Sequence, residues 1–562
     1  MPWSYNRVTL KSAPGFAAIW SLLLCPLLYL PFCSTLCAQS RSIPAQPPTA
    51  RSSFGRTVVV IPFENLSATT GFDWIGESFS ETLHEQLNSP ILYVASREER
   101  LRGYDRQGIP AGIHPARAAL YRLAEQMDSD FVIFGTYRYN NERSSLSCTA
   151  QVLDMRAKKL SPTVSENGRL AELLNLQSAL AWDLLRLIRS DFPIPKDNYI
   201  ATVAPISLDA MKSYVAGVLA SSGEEKVSDF REATRFNPAF PRAWLELGKT
   251  LYAQRSYEAA SAALLHVPDS SPLSLEAHFY LGLAAYSRGD LIKSEAAFQF
   301  VADRLPLAEV YNNLGVVAAR RGQKQSADLF SRAIQNDPSD ADYHFNLAIS
   351  LLQSGERNAG VRELHTALSY RPGDTEAKTL IESFKPTAGA TVSAATTTKL
   401  SSQRMKHNYE EDAFRQVNAQ MEGWAEQRFS HAEARAHARF HIALGKELLA
   451  HGFGSEAEEQ FKHAATLDPL SPAPLIALAE DYEARGDETG SRAQLEAALR
   501  LRESVEAYLL LVRLDLKENR TEAAEKDINR LLQIEPLNSA AQDLKRNLAA
   551  KLAEKAQPLP HP

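Results

Sequence analysis

Trp244-Leu245-Glu246-Leu247-Gly248-Lys249-Thr250-Leu251 carries the spacing that decides how most of this chain folds. Bulky residues stand at 244, 247 and 251, and a glycine stands at 248. Ala260, Leu264 and Pro272 complete the unit. The same template returns at Leu444-Gly445, Leu448, Gly452, Ala457, Phe461, Ala464 and Pro469. Weaker copies lie between, at Leu281-Gly282 with Phe298 and Pro306, at Leu314-Gly315 with Phe330 and Pro338, and at Leu347-Ala348 with Leu364 and Pro372. Two more follow, one through Leu478-Ala479, Leu495 and Ala498, the other through Leu511, Ala524, Leu531 and Pro536.

This spacing has a physical cause. A small residue at the eighth position sits where two helices cross, and a second, twelve positions on, does the same from the other helix. Trp244, Leu247, Leu264 and Phe461 fill the gap between helices, and the closing proline ends the second helix because it has no N–H to donate. One such unit cannot bury its own apolar face, so neighbours must stack. The pattern resembles the tetratricopeptide repeat, a helix-turn-helix unit of about 34 residues. That resemblance implies an α-solenoid that holds other proteins, with partners bound on the concave wall formed by the first helix of each unit.

Low-complexity sequence from Lys385 to Gln403 separates two stacks, at 207–384 and 409–546, with a linker at 385–408 and a cap and tail at 547–562. The first stack opens with a degenerate unit from Tyr214 to Pro238. If the family template carries over, the first-stack wall includes Lys249, Tyr252, Phe279, Tyr286, Asn312, Arg320 and Phe345. Its aromatic faces suit an extended peptide or a helix, and Lys249 and Arg320 suit acidic groups or a terminal carboxylate. Phe279 and Phe345 equally suit packing between adjacent units. The second wall is more charged, with Lys446, Glu480, Glu483, Arg513 and Lys517, which implies a different partner.

Ahead of the repeats the pattern changes. Arg7 and Lys11 precede an apolar stretch, Ile19 to Leu30, and small residues surround Ala38, which is the layout of a signal peptide at 1–38; an uncleaved anchor is the alternative. A tether rich in Pro, Ser and Arg spans 39–55. Three of the four cysteines fall in the leader, leaving Cys148 without an intramolecular partner. Thr57-Val58-Val59-Val60-Ile61-Pro62-Phe63 is a β-branched run without polar interruption, the mark of a strand buried on both faces. Helical periodicity at 74–88, 116–127 and 170–188 and strand patterns at 91–94, 131–137 and 145–153 make a small α/β domain over 56–196.

The stretches Val60-Ile61-Pro62-Phe63-Glu64-Asn65-Leu66-Ser67, Phe131-Val132-Ile133-Phe134-Gly135-Thr136 and Thr149-Ala150-Gln151-Val152-Leu153-Asp154 resemble the amino-terminal domain of TolB and the related FlgO-type envelope domain. The region from Gly103 to Gly112 departs from that pattern. The resemblance implies a non-catalytic docking module in a bacterial envelope protein. The expected fold class is therefore α+β and multidomain, a small α/β domain followed by an all-α repeat solenoid in two stacks.

Composition narrows the function classes. A formal net charge of −6, with 44% hydrophobic and 23% charged residues, gives no basic footprint for nucleic acid. The loop after the first strand has neither a dinucleotide fingerprint nor a phosphate loop. Gly248-Lys249-Thr250 lies on a repeat helix, His84-Glu85 lacks a second histidine at zincin spacing, and no Gly-x-Ser-x-Gly elbow occurs. His437 and His441 stand one turn apart, but His441 takes the packing position that Trp244 holds in the first repeat. The expectation is an exported, non-enzymatic adaptor in the periplasm or at the outer membrane, without metal or cofactor. Its partners are proteins or peptides in the envelope, and it meets the membrane only through its leader if that is uncleaved. A membrane-held sensor whose α/β domain binds a small ligand is the second reading.

Overall fold

The computed structural model describes residues 56–384, apart from 68, 90, 91, 111, 190, 191 and 193, and residues 403–556, apart from 430–432 and 451. The leader, the tether and the linker sequence 385–402 lie outside the described residues. Two compact units divide between Gly423 and Trp424.

Strand β1 (Arg56–Val60) is buried along its whole length, as its β-branched run requires. It pairs in parallel with β3 (Leu92–Val94) and β4 (Phe131–Asn140), with Val58 opposite Val94 and Phe131. β4 turns into antiparallel β5 (Ser145–Asp154), in register from Phe131↔Asp154 to Asn140↔Ser145. Short β2 (Glu64–Asn65) adds to β4, and β6 (Lys159–Leu160) and β7 (Val164–Arg169) add to β5, giving the order β3-β1-β4-β5-β6. Val58 and Val60 meet Phe79 and Leu83 of helix Trp74–Leu87 and Leu180 and Leu184 of helix Leu173–Ile188. On the opposite face Val59 and Ile61 meet Tyr104, Leu120 and Leu123. Cys148, on β5, is buried, and burial raises its thiol to about 12, so it is held as an unreactive thiol.

Two features of this domain carry no apolar stripe to announce them. Helix Arg97–Gln107 is highly charged, and it is set by local hydrogen bonds: Ser96 and Glu99 form a reciprocal capping box, and Gly108 ends it at φ 66°. Its Arg100 is buried, donating to the Val60 carbonyl at 3.0 Å and pairing with Glu77. Strand β7 is polar, and its side chains alternate between half-buried and exposed.

The α/β domain and the first helical stack form part of one unit. Tyr214 Oη donates to Glu81 at 2.9 Å, and Arg242 pairs with Glu85 at 3.2 Å. That stack consists of helix pairs 208–219/223–236, 241–253/257–264, 274–287/291–302, 308–320/326–336 and 341–353/357–370, closed by helix Thr375–Ser383. The second unit contains pairs 434–450/454–467, 473–484/488–501 and 505–517/521–534, followed by helix Ser539–Ala556. Leu548 of that last helix is buried beside Val512 and Ile528, closing the stack.

The small residue of the template does what its spacing implies. A Cβ added at Gly315 would lie 2.6 Å from the Phe330 ring, and one at Gly445 2.4 Å from the Phe461 ring. Both phenylalanines are fully buried. The degenerate first unit uses the same device, with Gly217 against Phe230. Among the described residues, no helix is long and apolar enough to cross a membrane.

Candidate functional site

The concave wall of the first stack is lined by polar groups that would be costly to bury alone. Asn312, Asn313 and Asn346 are all fully buried, and buried amides require partners. They find them in the chain's own residues 403–410, which lie along the wall, extended from Arg404 to Lys406. The sequence assigns 403–408 to the linker and 409–410 to the second stack, whereas Tyr409 and Glu410 meet Phe279 and Glu309 of the first.

Asn346 Nδ2 donates to the Arg404 carbonyl at 2.8 Å, and its Oδ1 accepts from the Arg404 N–H at 2.6 Å. Asn313 repeats the arrangement at Lys406, donating to its carbonyl at 2.9 Å and accepting from its N–H at 2.8 Å. Asn312 adds a second donor to the Arg404 carbonyl at 3.0 Å and accepts from Asn346 at 2.7 Å. Two amides thus pair with alternate residues of one segment, the spacing of an extended strand, whose N–H and C=O groups face one side at i and i+2. These contacts read backbone only.

Side chains of the segment supply the rest. The Arg404 guanidinium lies 3.5 Å from the centre of the Phe345 ring and reaches Asp342 at 3.0 Å, Asp374 at 2.5 Å and Glu376 at 2.7 Å. Lys406 Nζ reaches Asp340 at 2.6 Å and Asp342 at 2.9 Å, with the Tyr343 ring 5.1 Å away. Asp340 and Asp374 are N-caps of their helices, where the helix dipole favours negative charge. Burial opposes ionisation of Asp342, but hydrogen bonds from Arg371, Lys406 and Arg404 overcome it and hold the carboxyl below its usual range. The hydrogen bond from Arg404 likewise lowers Asp374. Met405 packs on the cluster of Val316, Phe330 and Leu347. Further along, His407 Nδ1 is 2.9 Å from Tyr252 Oη, the Tyr409 ring is 5.2 Å from Phe279, and the Glu410 N–H donates to Glu309 at 2.9 Å. The contacts therefore pass from the last repeat of the stack at Arg404 to its second at His407, and then to its third and fourth at Tyr409 and Glu410.

Of the wall residues named from sequence, Tyr252, Phe279, Asn312 and Phe345 touch this segment. Phe279 and Phe345 are fully buried, so each also serves the packing between repeats. Tyr286 packs on the same cluster as Met405, with the Arg320 guanidinium 4.9 Å from its ring centre. Lys249 is taken up by Glu246 at 3.1 Å and Glu276 at 2.7 Å. The groups meeting the ends of the segment's charged side chains are therefore carboxylates, where the sequence suggested lysine and arginine facing an acidic ligand. Asn313 and Asn346 stand in the sequence, with Asn312, as the asparagines of a carboxylate clamp whose lysines are not in the matching places; here they hold a peptide backbone instead, and Asp340, Asp342 and Asp374 are not site residues in the sequence reading. Asn313 and Asn346 stand at the same template position, two residues before Gly315 and Ala348.

In the second unit the charged wall residues pair within the stack. Lys446 meets Glu480 at 3.1 Å, Arg513 meets Glu483 at 2.9 Å and Lys517 meets Glu488 at 2.6 Å. His437 and His441 come together with His463. The Nε2 atoms of the first two are 3.0 Å apart, Gln460 accepts at 2.7 Å from His441 Nδ1, and the rings of His441 and His463 are 4.1 Å apart. Burial lowers His441 to about 4 and His463 to about 3, so both are neutral at pH 7. Among the described residues, no group of three or more His, Cys, Asp or Glu is arranged to hold a metal ion.

The tetratricopeptide repeat family model matches residues 245–299 and 281–341. These helix pairs are tetratricopeptide repeats. Among solved structures, YrrB, described as a TPR protein with an unusual peptide-binding site, is 16% identical, covering 31% of this chain and 92% of its own at a TM-score of 0.29. MamA from Desulfovibrio magneticus RS-1 is 16% identical, covering 30% of this chain and 99% of its own, TM-score 0.29. Lipoprotein GNA1162 from Neisseria meningitidis is 22% identical, covering 20% and 79%, TM-score 0.18. No curated protein matches the chain. The seven wall residues of the first stack thus lie partly within the matched tetratricopeptide repeats, with Phe345 just beyond them.

Proposed function

We propose that this chain is a non-catalytic interaction scaffold whose first repeat stack holds extended peptide segments of protein partners. The observation that carries this reading is the pair of bidentate amide contacts from Asn313 and Asn346 to the backbone of an extended segment. Backbone contacts of this kind give affinity without sequence, and the side-chain pockets beside them give selectivity. The setting proposed is the bacterial envelope, after export through the leader, with the TolB/FlgO-like domain as a second docking module; the leader layout and the strand motifs support it.

The test is a random-peptide display selection against the full chain carrying Arg404→Glu and Lys406→Glu, which frees the wall. Enriched peptides should lose binding when Asn313→Ala and Asn346→Ala are added, with the helical circular dichroism unchanged. Enrichment that is indifferent to the two asparagines would sink the groove as the binding surface. Secretion of a tagged full-length chain, followed by fractionation, tests the compartment; retention of all material in the cytoplasm would overturn it.

A further inference from the structure

The occupied wall also specifies what it takes. Resting on the groove reading above, we propose that the first-stack groove is closed in cis by residues 403–410 and that its partner is an extended basic peptide with Arg-x-Lys spacing, which must displace them.

Three independent features converge on that ligand. The amides of Asn313 and Asn346 fix an extended backbone at two alternate residues. The side chains of those same two residues then enter carboxylate pockets. One pocket is made by Asp342, Asp374 and Glu376 under the Phe345 ring, and the other by Asp340 and Asp342 beside Tyr343. The first pocket suits guanidinium in particular, because it offers a flat aromatic face and carboxylates from two helix N-termini around one planar donor fork. An acidic or neutral peptide with the same backbone would leave these carboxylates without their Arg and Lys partners, Asp342 keeping only Arg371, so the wall selects by repulsion as well as attraction. Finally, Tyr252 and Phe279 lie where the segment places His407 and Tyr409, extending the site to an aromatic position downstream of the basic pair.

The segment now in the groove joins the same stack through residues 385–402, so it competes with any external peptide of the same chemistry. An external ligand meets a groove that is already filled, and its apparent affinity is reduced by the fraction of molecules in which the segment is seated.

The experiment uses the full chain and a fluorescent synthetic peptide, Gln-Arg-Met-Lys-His-Asn-Tyr-Glu, copied from 403–410, with a control peptide in which its Arg and Lys are replaced by Glu. Binding is read by anisotropy against wild type, Arg404→Glu with Lys406→Glu, and that opened chain carrying Asn313→Ala and Asn346→Ala. The milder Lys406→Gln serves as the opened chain if the double reversal does not fold. The expected result is binding to the opened chain at least about tenfold tighter than to wild type, loss with the asparagine variant, and none of the control peptide. If the opened chain binds other extended peptides from the display selection but not this one, or binds the control peptide equally, the ligand chemistry is overturned while the groove reading survives. If the opened chain binds no peptide at all, both fail. Light scattering that shows a wild-type dimer, lost on opening, would overturn closure in cis and assign the segment to the groove of a second copy.

Discussion

The two repeat stacks share one template and differ in what their walls leave unsatisfied. In the first, three buried asparagines and a set of helix-terminal carboxylates find their partners on residues 403–410, outside the stack's own helices. In the second, Lys446, Arg513 and Lys517 are answered by glutamates of the stack itself. Helix packing makes the scaffold in both. Whether the wall needs a ligand is decided by a few polar positions that packing does not constrain.

The largest expected effect breaks that contrast at its source. Asn313→Ala with Asn346→Ala removes four hydrogen bonds to the segment, each worth about 1 kcal/mol net. Protection of the Arg404 and Lys406 amides in hydrogen exchange should fall at least about a hundredfold. Exchange in residues 434–534 should be unaltered. Retained protection at 404 and 406 would mean that the ion pairs alone hold the segment.

Next in size, Gly445→Leu forces a side chain into the Phe461 ring. It should destabilise the second unit by about 1–3 kcal/mol, the usual range of an overpacked core, while the first unit melts as before. Two transitions in urea, of which only one moves, would confirm that the units respond separately.

A third test separates the units by pH. His441 and His463 have folded values below the ordinary 6.5 because burial disfavours their charged forms. Their contribution is therefore present above pH 6.5 and lost as pH falls toward 4, by about 2 kcal/mol between pH 7 and 5 for a histidine that stays neutral. Glu309 in the first unit has the opposite sign. Burial raises it to about 8, so its contribution is present below about 4.5 and lost as pH rises through 8. His463→Leu should flatten the acid limb of the second unit's urea midpoint, and Glu309→Gln the alkaline limb of the first; unchanged limbs would assign the pH dependence to other groups. The smallest effect belongs to Arg513→Ala, whose partly exposed pair with Glu483 should be worth less than about 1 kcal/mol. A larger loss would show that the second wall depends on its surface charges after all.

The scaffold was readable because repetition amplifies a weak signal: Gly248, Gly282, Gly315 and Gly445 each face a large residue one helix later. Strand β1 was readable because a β-branched run has few alternatives. Helix Arg97–Gln107 was not, since its formation rests on the Ser96 and Glu99 cap rather than on an apolar stripe. The segment at 403–410 was the hardest to see. Gln-Arg-Met-Lys-His-Asn-Tyr-Glu has no period, follows a run of alanines and threonines, and takes its conformation from the wall it lies on. Four of the seven wall residues touch it nonetheless, because the repeat template places side chains on the wall whatever the ligand. The asparagines were legible as a candidate carboxylate clamp but not as backbone partners, because their burial, which makes a partner necessary, shows only in the folded chain. The carboxylates at the helix N-termini look in sequence like ordinary helix caps.

Covalent attachment of residues 403–410 to the stack they occupy has a consequence for dose. A tethered ligand competes at an effective concentration on the order of millimolar when its connection is short. A free peptide of equal intrinsic affinity gains little at micromolar levels, whereas a partner presenting many copies side by side can match the tether. Such a groove responds to crowding of its ligand more than to its mere presence, with a threshold that the length of 385–402 would tune.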